Sequence, residues 1–127
     1  MVDVSTKQLV NWFELPATDI DRAIKFYTDV FGVKIEKAVH GDVSMGIFDH
    51  NNEIIGGSLV QSPEHKVTEP GVVLTFSGGD DLEEFLKKVE PAGGTVLMPK
   101  TMISPQIGFM ARFKDTEGNV LGLHSKG

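Results

Sequence analysis

The chain contains no cysteine. This absence excludes disulfide bonds, thiolate nucleophiles and thiolate metal ligands, and it is neutral on the cellular compartment. The chain also has no apolar run approaching the roughly 20 residues that a membrane-spanning helix needs, and its first residues lack the basic start and apolar core of a signal peptide. We therefore expect a soluble, cytoplasmic protein without a membrane partner, in which any metal site would use histidine, aspartate or glutamate.

A concentration of positive charge is also missing. The 12 lysines and arginines are dispersed among 18 aspartates and glutamates, which gives a formal net charge of −6. Binding to a phosphate backbone depends on clustered positive charge, so we expect no nucleic-acid partner. The 127 residues, of which 40% are hydrophobic, are enough for one domain with a modest core.

What the chain does contain is an internal repetition. Val10–Gly32 is typical of a strand, a capped helix and a glycine stop, and Val72–Gly94 repeats that order. Further strand-like segments follow each copy. Two copies of one small unit can bury a shared surface between them, so the repetition predicts a concave site at their junction.

In the first copy the pattern predicts a strand over Val10–Leu15, then a helix with Thr18 as its N-cap and Gly32 as its stop. Apolar residues at three- and four-residue steps between these bounds form one stripe. Three further strands are predicted over Val33–Val39, Asp42–Phe48 and Glu53–Gln61, with a hairpin loop over residues 49–52. Residues 62–70, which contain two prolines, are interpreted as a linker.

The second copy predicts a strand over Val72–Phe76 and a helix whose apolar stripe is Leu82, Phe85, Leu86 and Val89. A short strand over Thr95–Met98 is expected next, then an irregular loop over Pro99–Gly108 at the mouth of the concavity. Two paired strands, Phe109–Lys114 and Val120–His124, end the copy, with a turn at residues 115–119.

Two local motifs carry a family resemblance. They are DIDRAIKFY (19–27), which continues into VFG (30–32), and FKDTEGN (113–119) before the closing strand. With these motifs the chain resembles the vicinal oxygen chelate superfamily, which includes glyoxalase I, extradiol dioxygenases and bleomycin resistance proteins. The resemblance covers almost the whole chain. It is specific for the fold and weak for activity, because one fold hosts many functions.

The resemblance implies an α+β fold of two tandem βαβββ modules whose sheets form an open, cup-shaped half-barrel. The modules would span residues 8–61 and 71–125 of a single domain covering 1–127, separated by the linker at 62–70. It also implies a homodimer. In metal-dependent members of the superfamily, four side chains on the inner face of the cup hold one divalent ion.

Carried over position by position, the implied metal ligands fall on residues that are not ligands. The first falls on Trp12 and the last on Gly122, and the others fall near Gly71 or Val72 and near Gly57 or Ser58. An indole nitrogen only donates hydrogen bonds, and glycine has no side chain. We therefore expect no standard metal site and no cofactor.

Strand alternation identifies the side chains that face the cup. If Leu121, Leu123 and their neighbours in the adjacent strand pack on the helices, the opposite face carries the candidate site residues. These candidates are Trp12, Glu14, Met110, Arg112 and His124.

Each candidate has a functional and a structural interpretation. Trp12, Met110 and Arg112 would bind a small-molecule ligand, Trp12 as an aromatic platform and Arg112 as an anion clamp. Alternatively, Trp12 is core and Arg112 forms a salt bridge to Glu14. Glu14 and His124 would meet as a hydrogen-bonded pair, either an acid–base pair or a purely structural one. An off-pattern divalent metal site begun by these two residues is the weaker alternative.

Three classes of function follow from these candidates. The first is a metal-independent protein that binds a small molecule in the cup. The second is an enzyme of lyase, isomerase or dioxygenase type that uses Glu14 and His124. The third is an interaction module that works through its dimer surface, for which we expect an occluded cup. His40, His50 and His65 are interpreted as solvated residues without a role.

Overall fold

A computed structural model of the protein describes residues 10–49, 56–68 and 72–127. Its eight described strands form two four-stranded sheets, one from each half of the chain, and neither closes into a barrel. This is the α+β arrangement that the family resemblance implied. The hairpin tip at 50–52, the start of the fourth predicted strand and the end of the linker lie outside the described residues.

The first sheet has the strand order β1-β4-β3-β2. Its strands are β1 (Trp12–Pro16), β2 (Ile35–His40), β3 (Val43–Phe48) and β4 (Gly56–Gln61). β1 runs parallel to β4, and the other neighbours are antiparallel. A parallel pair needs a crossover connection, which helix α1 and strands β2 and β3 supply.

Helix α1 (Ile20–Phe31) connects β1 to β2. Its N-cap is Asp19, whose carboxylate accepts a hydrogen bond from the Arg22 N–H at 3.1 Å. The predicted cap, Thr18, is wrong, because its hydroxyl instead donates to Glu117 at 2.9 Å. Gly32 ends the helix with φ of 66°, the left-handed conformation that glycine adopts without strain.

The second sheet has the order β5-β8-β7-β6. Its strands are β5 (Leu74–Ser77), β6 (Thr95–Ser104), β7 (Gly108–Lys114) and β8 (Val120–Ser125). β5 runs parallel to β8, as β1 does to β4, so the two halves share one topology.

Two expectations for this half need correction. Helix α2 covers only Glu83–Leu86, although the stripe residues Leu82, Leu86 and Val89 are buried as expected. The predicted loop from Pro99 is largely strand, because β6 continues to Ser104. Pro99 is tolerated there since β6 is an edge strand whose register shifts between Met98 and Thr101.

The core lies between the helices and the facing sides of both sheets. Phe26, Tyr27 and Val30 of α1 are at most 1% exposed. Phe26 packs against Phe113 of the second sheet, and Tyr27 against Phe48 of the first. Helix α1 therefore packs against both sheets. The sheet faces that do not pack against the helices are left to form the predicted cup.

Within the described residues no helix is long and apolar enough to cross a membrane.

Candidate functional site

A cavity of about 810 Å³ lies where the two halves of the chain meet. Its lining comes from β1, from the segment after β4, from the approach to β5, and from β7 and β8. The residues are Glu14, Leu15, Pro16, Lys66, Thr68, Val72, Val73, Leu74, Arg112, Asn119 and Val120. The cavity thus occupies the junction at which the repetition predicts a concave site, and it combines apolar with charged side chains.

The charged lining contains two cations. Arg112 on β7 and Lys66 after β4 are both exposed, and neither forms an ion pair with another described residue. The salt bridge between Arg112 and Glu14 that was one interpretation of the sequence is therefore not formed. As far as the described residues go, both cations are available to a ligand.

Glu14 belongs to a short chain of hydrogen bonds at the cavity. Its Oε1 lies 3.1 Å from Nε2 of His65, and Nδ1 of His65 lies 2.7 Å from Oγ of Ser62. The side chains of Glu14 and His65 are 48% and 32% exposed. The interaction connects β1 to the segment that follows β4.

The turn at Ser62–His65 fixes the orientation of this imidazole. Ser62 Oγ accepts hydrogen bonds from the N–H groups of Glu64 and His65, each at 3.2 Å. In the tautomer in which the Ser62 hydroxyl donates to Nδ1 of His65, Nε2 carries the ring proton and donates to Glu14. The expectation that His65 has no role overlooked this turn, although the serine three residues before the histidine is a signal for it.

The predicted hydrogen bond between Glu14 and His124 is wrong. His124 Nε2 bonds to the backbone oxygen of Ile107 at 2.6 Å and so anchors the β6–β7 loop. The cavity brings the end of β1 against the start of β8, since its lining includes Pro16 and Val120. Glu14 lies back along β1 from Pro16, and His124 lies forward along β8 from Val120, so the two side chains lie on opposite sides of this meeting point. Two residues of a strand already span about 7 Å.

The remaining cup candidates have mixed outcomes. Met110 is paired with His124 in the β7–β8 register, and neither it nor Trp12 lines the cavity. Trp12 is 39% exposed, so it is not a core residue. The prediction of which β7 side chains face away from the core is confirmed. Ala111 and Phe113, which alternate with Met110 and Arg112, are fully buried. Of the five candidates, Glu14 and Arg112 reach the cavity.

The positions that the resemblance assigns to metal ligands have their own packing. A Cβ atom on Gly122 would lie 2.7 Å from Oγ1 of its cross-strand neighbour Thr75. Ser58 is fully buried, and its hydroxyl has no hydrogen-bond partner among the residues that the structure describes. Val72 is 99% exposed, and Gly71 lies outside the described residues. No group of three or more histidine, cysteine, aspartate or glutamate residues able to hold a metal occurs in the described part of the chain.

The buried carboxylate of Glu117 ties the two halves together, and sequence reasoning missed it. Both oxygens of Glu117, whose side chain is fully buried, accept hydrogen bonds. The donors are the N–H groups of Thr18 and Asp19, the hydroxyls of Thr18 and Thr116, and the Arg22 guanidinium. Burial alone would raise the pKa of Glu117, but the hydrogen bonds from Arg22 and the other donors lower it to about 2.

Asp115 extends this network into the core and toward the cavity. It accepts hydrogen bonds from the hydroxyl of Tyr27 at 2.7 Å and from the Asn119 amide at 3.0 Å. Burial, together with the adjacent Asp115 carboxylate, raises the pKa of Tyr27 well above its ordinary value. Asn119 also donates to the backbone oxygen of Pro16 at 2.8 Å. Pro16 and Asn119, which line the cavity, are therefore connected to the buried Tyr27 through the hydrogen bonds of Asp115.

Comparisons with known proteins agree with this architecture. Residues 9–123 match the family model of the Glyoxalase/Bleomycin resistance protein/Dioxygenase superfamily. A glyoxylase-like domain-containing protein of Didymella fabae is 31% identical over 113 residues, which cover 87% of this chain and 88% of the relative. The putative glyoxylase CFP32 of Mycobacterium tuberculosis (strain CDC 1551 / Oshkosh) is 32% identical over 117 residues, and this chain spans 44% of its length.

Solved structures show the same fold at lower identity. Glyoxalase I from Zea mays superposes with a TM-score of 0.75 at 18% identity, covering 91% of this chain and 44% of the maize chain. TnmS3, an antibiotic binding protein from Streptomyces sp. CB03234, superposes with a TM-score of 0.67 at 24% identity, covering 93% of this chain and 95% of TnmS3. On the family match and the relative in Didymella fabae, the chain belongs to the Glyoxalase/Bleomycin resistance protein/Dioxygenase superfamily.

Proposed function

We propose that the chain is a glyoxalase-like protein that binds a small molecule at the junction of its two halves, without the standard metal site of the superfamily. The observation that carries the proposal is the cavity of about 810 Å³, whose lining combines apolar side chains with Arg112 and Lys66, both unpaired within the described chain. A cavity of this size suits a drug-sized ligand.

The residues at the family's ligand positions support a metal-free site. Trp12 and Gly122 have no side-chain atom that can ligate a divalent cation, and Thr75 occupies the space beside Gly122. Ser58 offers only a neutral hydroxyl. The standard metal does not fit this set of residues, so binding is assigned to the lining itself.

A binding role is compatible with the fold, since one structural neighbour, TnmS3, is described as an antibiotic binding protein. The interaction module considered from the sequence is disfavoured, because it requires an occluded cup and the cavity is roomy. A homodimer and a cytoplasmic location remain predictions from the sequence.

The proposal is tested by filling the cavity. Val73 lines the cavity and is 36% exposed, whereas Val39 is 57% exposed and does not line it. We expect the purified protein and its Val39→Trp variant to release a bound organic compound on denaturation, measured by mass spectrometry, and Val73→Trp to release much less. A protein that gains thermal stability from a divalent metal but from no small molecule would contradict the proposal.

An acid–base enzyme is the second candidate, favoured by the hydrogen-bonded chain of Ser62, His65 and Glu14 at the cavity. In this alternative Glu14 exchanges a proton with the substrate and His65 orients its carboxylate. The sequence predicted instead that Glu14 orients His124 and that His124 moves the proton; here the partner of Glu14 is His65 and the two roles are exchanged. If the alternative holds, His65→Gln lowers the turnover of any detected reaction far more than His124→Gln does. Equal effects of the two variants would exclude this role for His65.

A further inference from the structure

We propose that the ligand class of this cavity is an amphipathic organic monoanion, with its carboxylate bound by Arg112 and Lys66 and its hydrocarbon part against the apolar wall. This inference rests on the proposed binding function and specifies the chemistry of the ligand. It is carried by the charge of the lining, by the engagement of Glu14 with His65, and by the exposure of apolar side chains beside them.

The charge of the lining is opposite in sign to that of the chain. The whole sequence has 12 basic and 18 acidic residues. Among the described residues that line the cavity, Lys66 and Arg112 are basic and Glu14 is the acidic one. A cleft of one sign within a protein of the other attracts ligands of complementary charge. The lining of this cavity therefore favours an anion although the whole chain has a net charge of −6.

Glu14 makes no direct ion pair with these cations. Its Oε1 is engaged with Nε2 of His65 at 3.1 Å, and it forms no ion pair with Arg112 or Lys66. A planar guanidinium presents paired donors that match a carboxylate, whereas the lysine ammonium adds a compact point charge. A carboxylate thus matches the guanidinium of Arg112 in a lining to which Lys66 adds a second positive charge, and a cationic ligand would meet two like charges.

The rest of the lining accounts for a hydrocarbon part. Val72 and Val73 are 99% and 36% exposed, and Leu74 and Val120 continue the apolar surface into the sheet. Removing such apolar surface from water is favourable. An anion without a hydrocarbon part would leave this surface in contact with water, so the two halves of the lining together select an amphiphile.

The test compares four probes by isothermal titration calorimetry on the full chain in low salt with EDTA. Octanoate, octanol and octylammonium each have eight carbons in a linear chain and differ in charge, and acetate has the charge without the long chain. We expect octanoate to bind at least about tenfold more tightly than each of the others, because it alone satisfies both the cations and the apolar wall.

Charge-removing variants locate the binding site. Arg112→Gln and Lys66→Gln should each weaken octanoate binding by about tenfold and leave octanol binding unchanged. Lys25→Gln is the matched control, because Lys25 pairs with Asp29 on helix α1 and does not line the cavity. Circular dichroism establishes that each variant is folded before its titration is interpreted.

The outcomes separate this inference from the proposed function. Octanol or octylammonium binding as tightly as octanoate, with loss of binding in Val73→Trp, would overturn the anionic class and leave the binding function standing. Octanoate binding that neither Arg112→Gln nor Lys66→Gln weakens would also overturn it. If no probe binds and no compound is released from the purified protein, both proposals fail.

Discussion

At the scale of single residues, Glu117 shows how a buried charge is kept. Its two oxygens accept hydrogen bonds from Arg22, Thr18, Asp19 and Thr116. These bonds offset the free-energy cost of removing the carboxylate from water. Replacing one oxygen by an amide nitrogen would place a donor against donors in either orientation.

We therefore expect Glu117→Gln to lower the free energy of unfolding by about 2–4 kcal/mol, because donors in the network lose their acceptor. Chemical denaturation at neutral pH measures this loss. Glu84→Gln is the control, since Glu84 forms an exposed pair with Lys87 and should change stability by less than about 0.5 kcal/mol. Equal losses in the two variants would contradict the role given to Glu117.

The same residue predicts an acid dependence of stability. The pKa of Glu117 is about 2 in the folded chain against 4.5 as its ordinary value. The unfolded chain thus binds more protons between these values, so a contribution of about 3 kcal/mol is complete above about pH 5 and is lost as pH falls toward 2. The difference in unfolding free energy between wild type and Glu117→Gln should narrow to about 1 kcal/mol by pH 3. A difference independent of pH would disprove the assignment.

The residue scale also shows where sequence reasoning stops. Alternation assigned Trp12, Glu14, Met110, Arg112 and His124 to the face opposite the core, because facing depends only on the period of a strand. Which of them reach one cavity depends on how β1 and β8 lie against each other, and no local pattern encodes that. His65 and Lys66 were missed because their segment has no periodicity and takes its place through the contact with Glu14.

At the scale of elements, the helices differ in how well their bounds follow from the sequence. Helix α1 has all three features that the sequence predicts: a capping side chain, a buried apolar stripe and a glycine at its end. The cap is one residue later than predicted, because Thr18 is recruited by the distant Glu117. Helix α2 keeps its buried stripe but only four helical residues. Apolar spacing predicts burial more securely than it predicts helix length.

Asp19→Ala should destabilise the protein by about 1 kcal/mol, because the Arg22 N–H loses its capping partner. The matched variant is Asp29→Ala on the same helix, where an exposed pair with Lys25 is removed at a cost of at most about 0.5 kcal/mol. Thermal unfolding of both variants gives the comparison. A smaller effect at Asp19 than at Asp29 would show that the cap is not used.

Strand β8 carries a prediction about the former ligand position. Gly122→Ala should destabilise the protein by about 1–3 kcal/mol, because the new Cβ would lie 2.7 Å from Oγ1 of Thr75. Thr75→Ala in the same chain should recover most of this loss, since it removes the conflicting hydroxyl. A double-mutant cycle by denaturation measures the coupling, and additive effects of the two substitutions would contradict the proposed contact.

At the scale of the whole molecule, the internal repetition predicted the fold and the junction. Two copies of one strand and helix order gave two sheets of identical topology. The side chains that connect the halves come from Glu117, Tyr27 and Asn119, whose partners lie about 90 to 100 positions away in the chain. Contacts of such separation follow from the assembled fold and not from any window of sequence.

The central claim is that the junction cavity binds a small molecule through the chain's own side chains. An amide nuclear magnetic resonance titration of the full chain in EDTA tests it most directly, with octanoate, octanol and octylammonium as separate probes. We predict that the probe which binds shifts the amide signals of Val73, Arg112, Asn119 and Val120, and that a parallel titration with zinc in place of EDTA gives the same shifts. Shifts confined to residues outside the cavity, or binding that begins only when zinc is added, would contradict the claim.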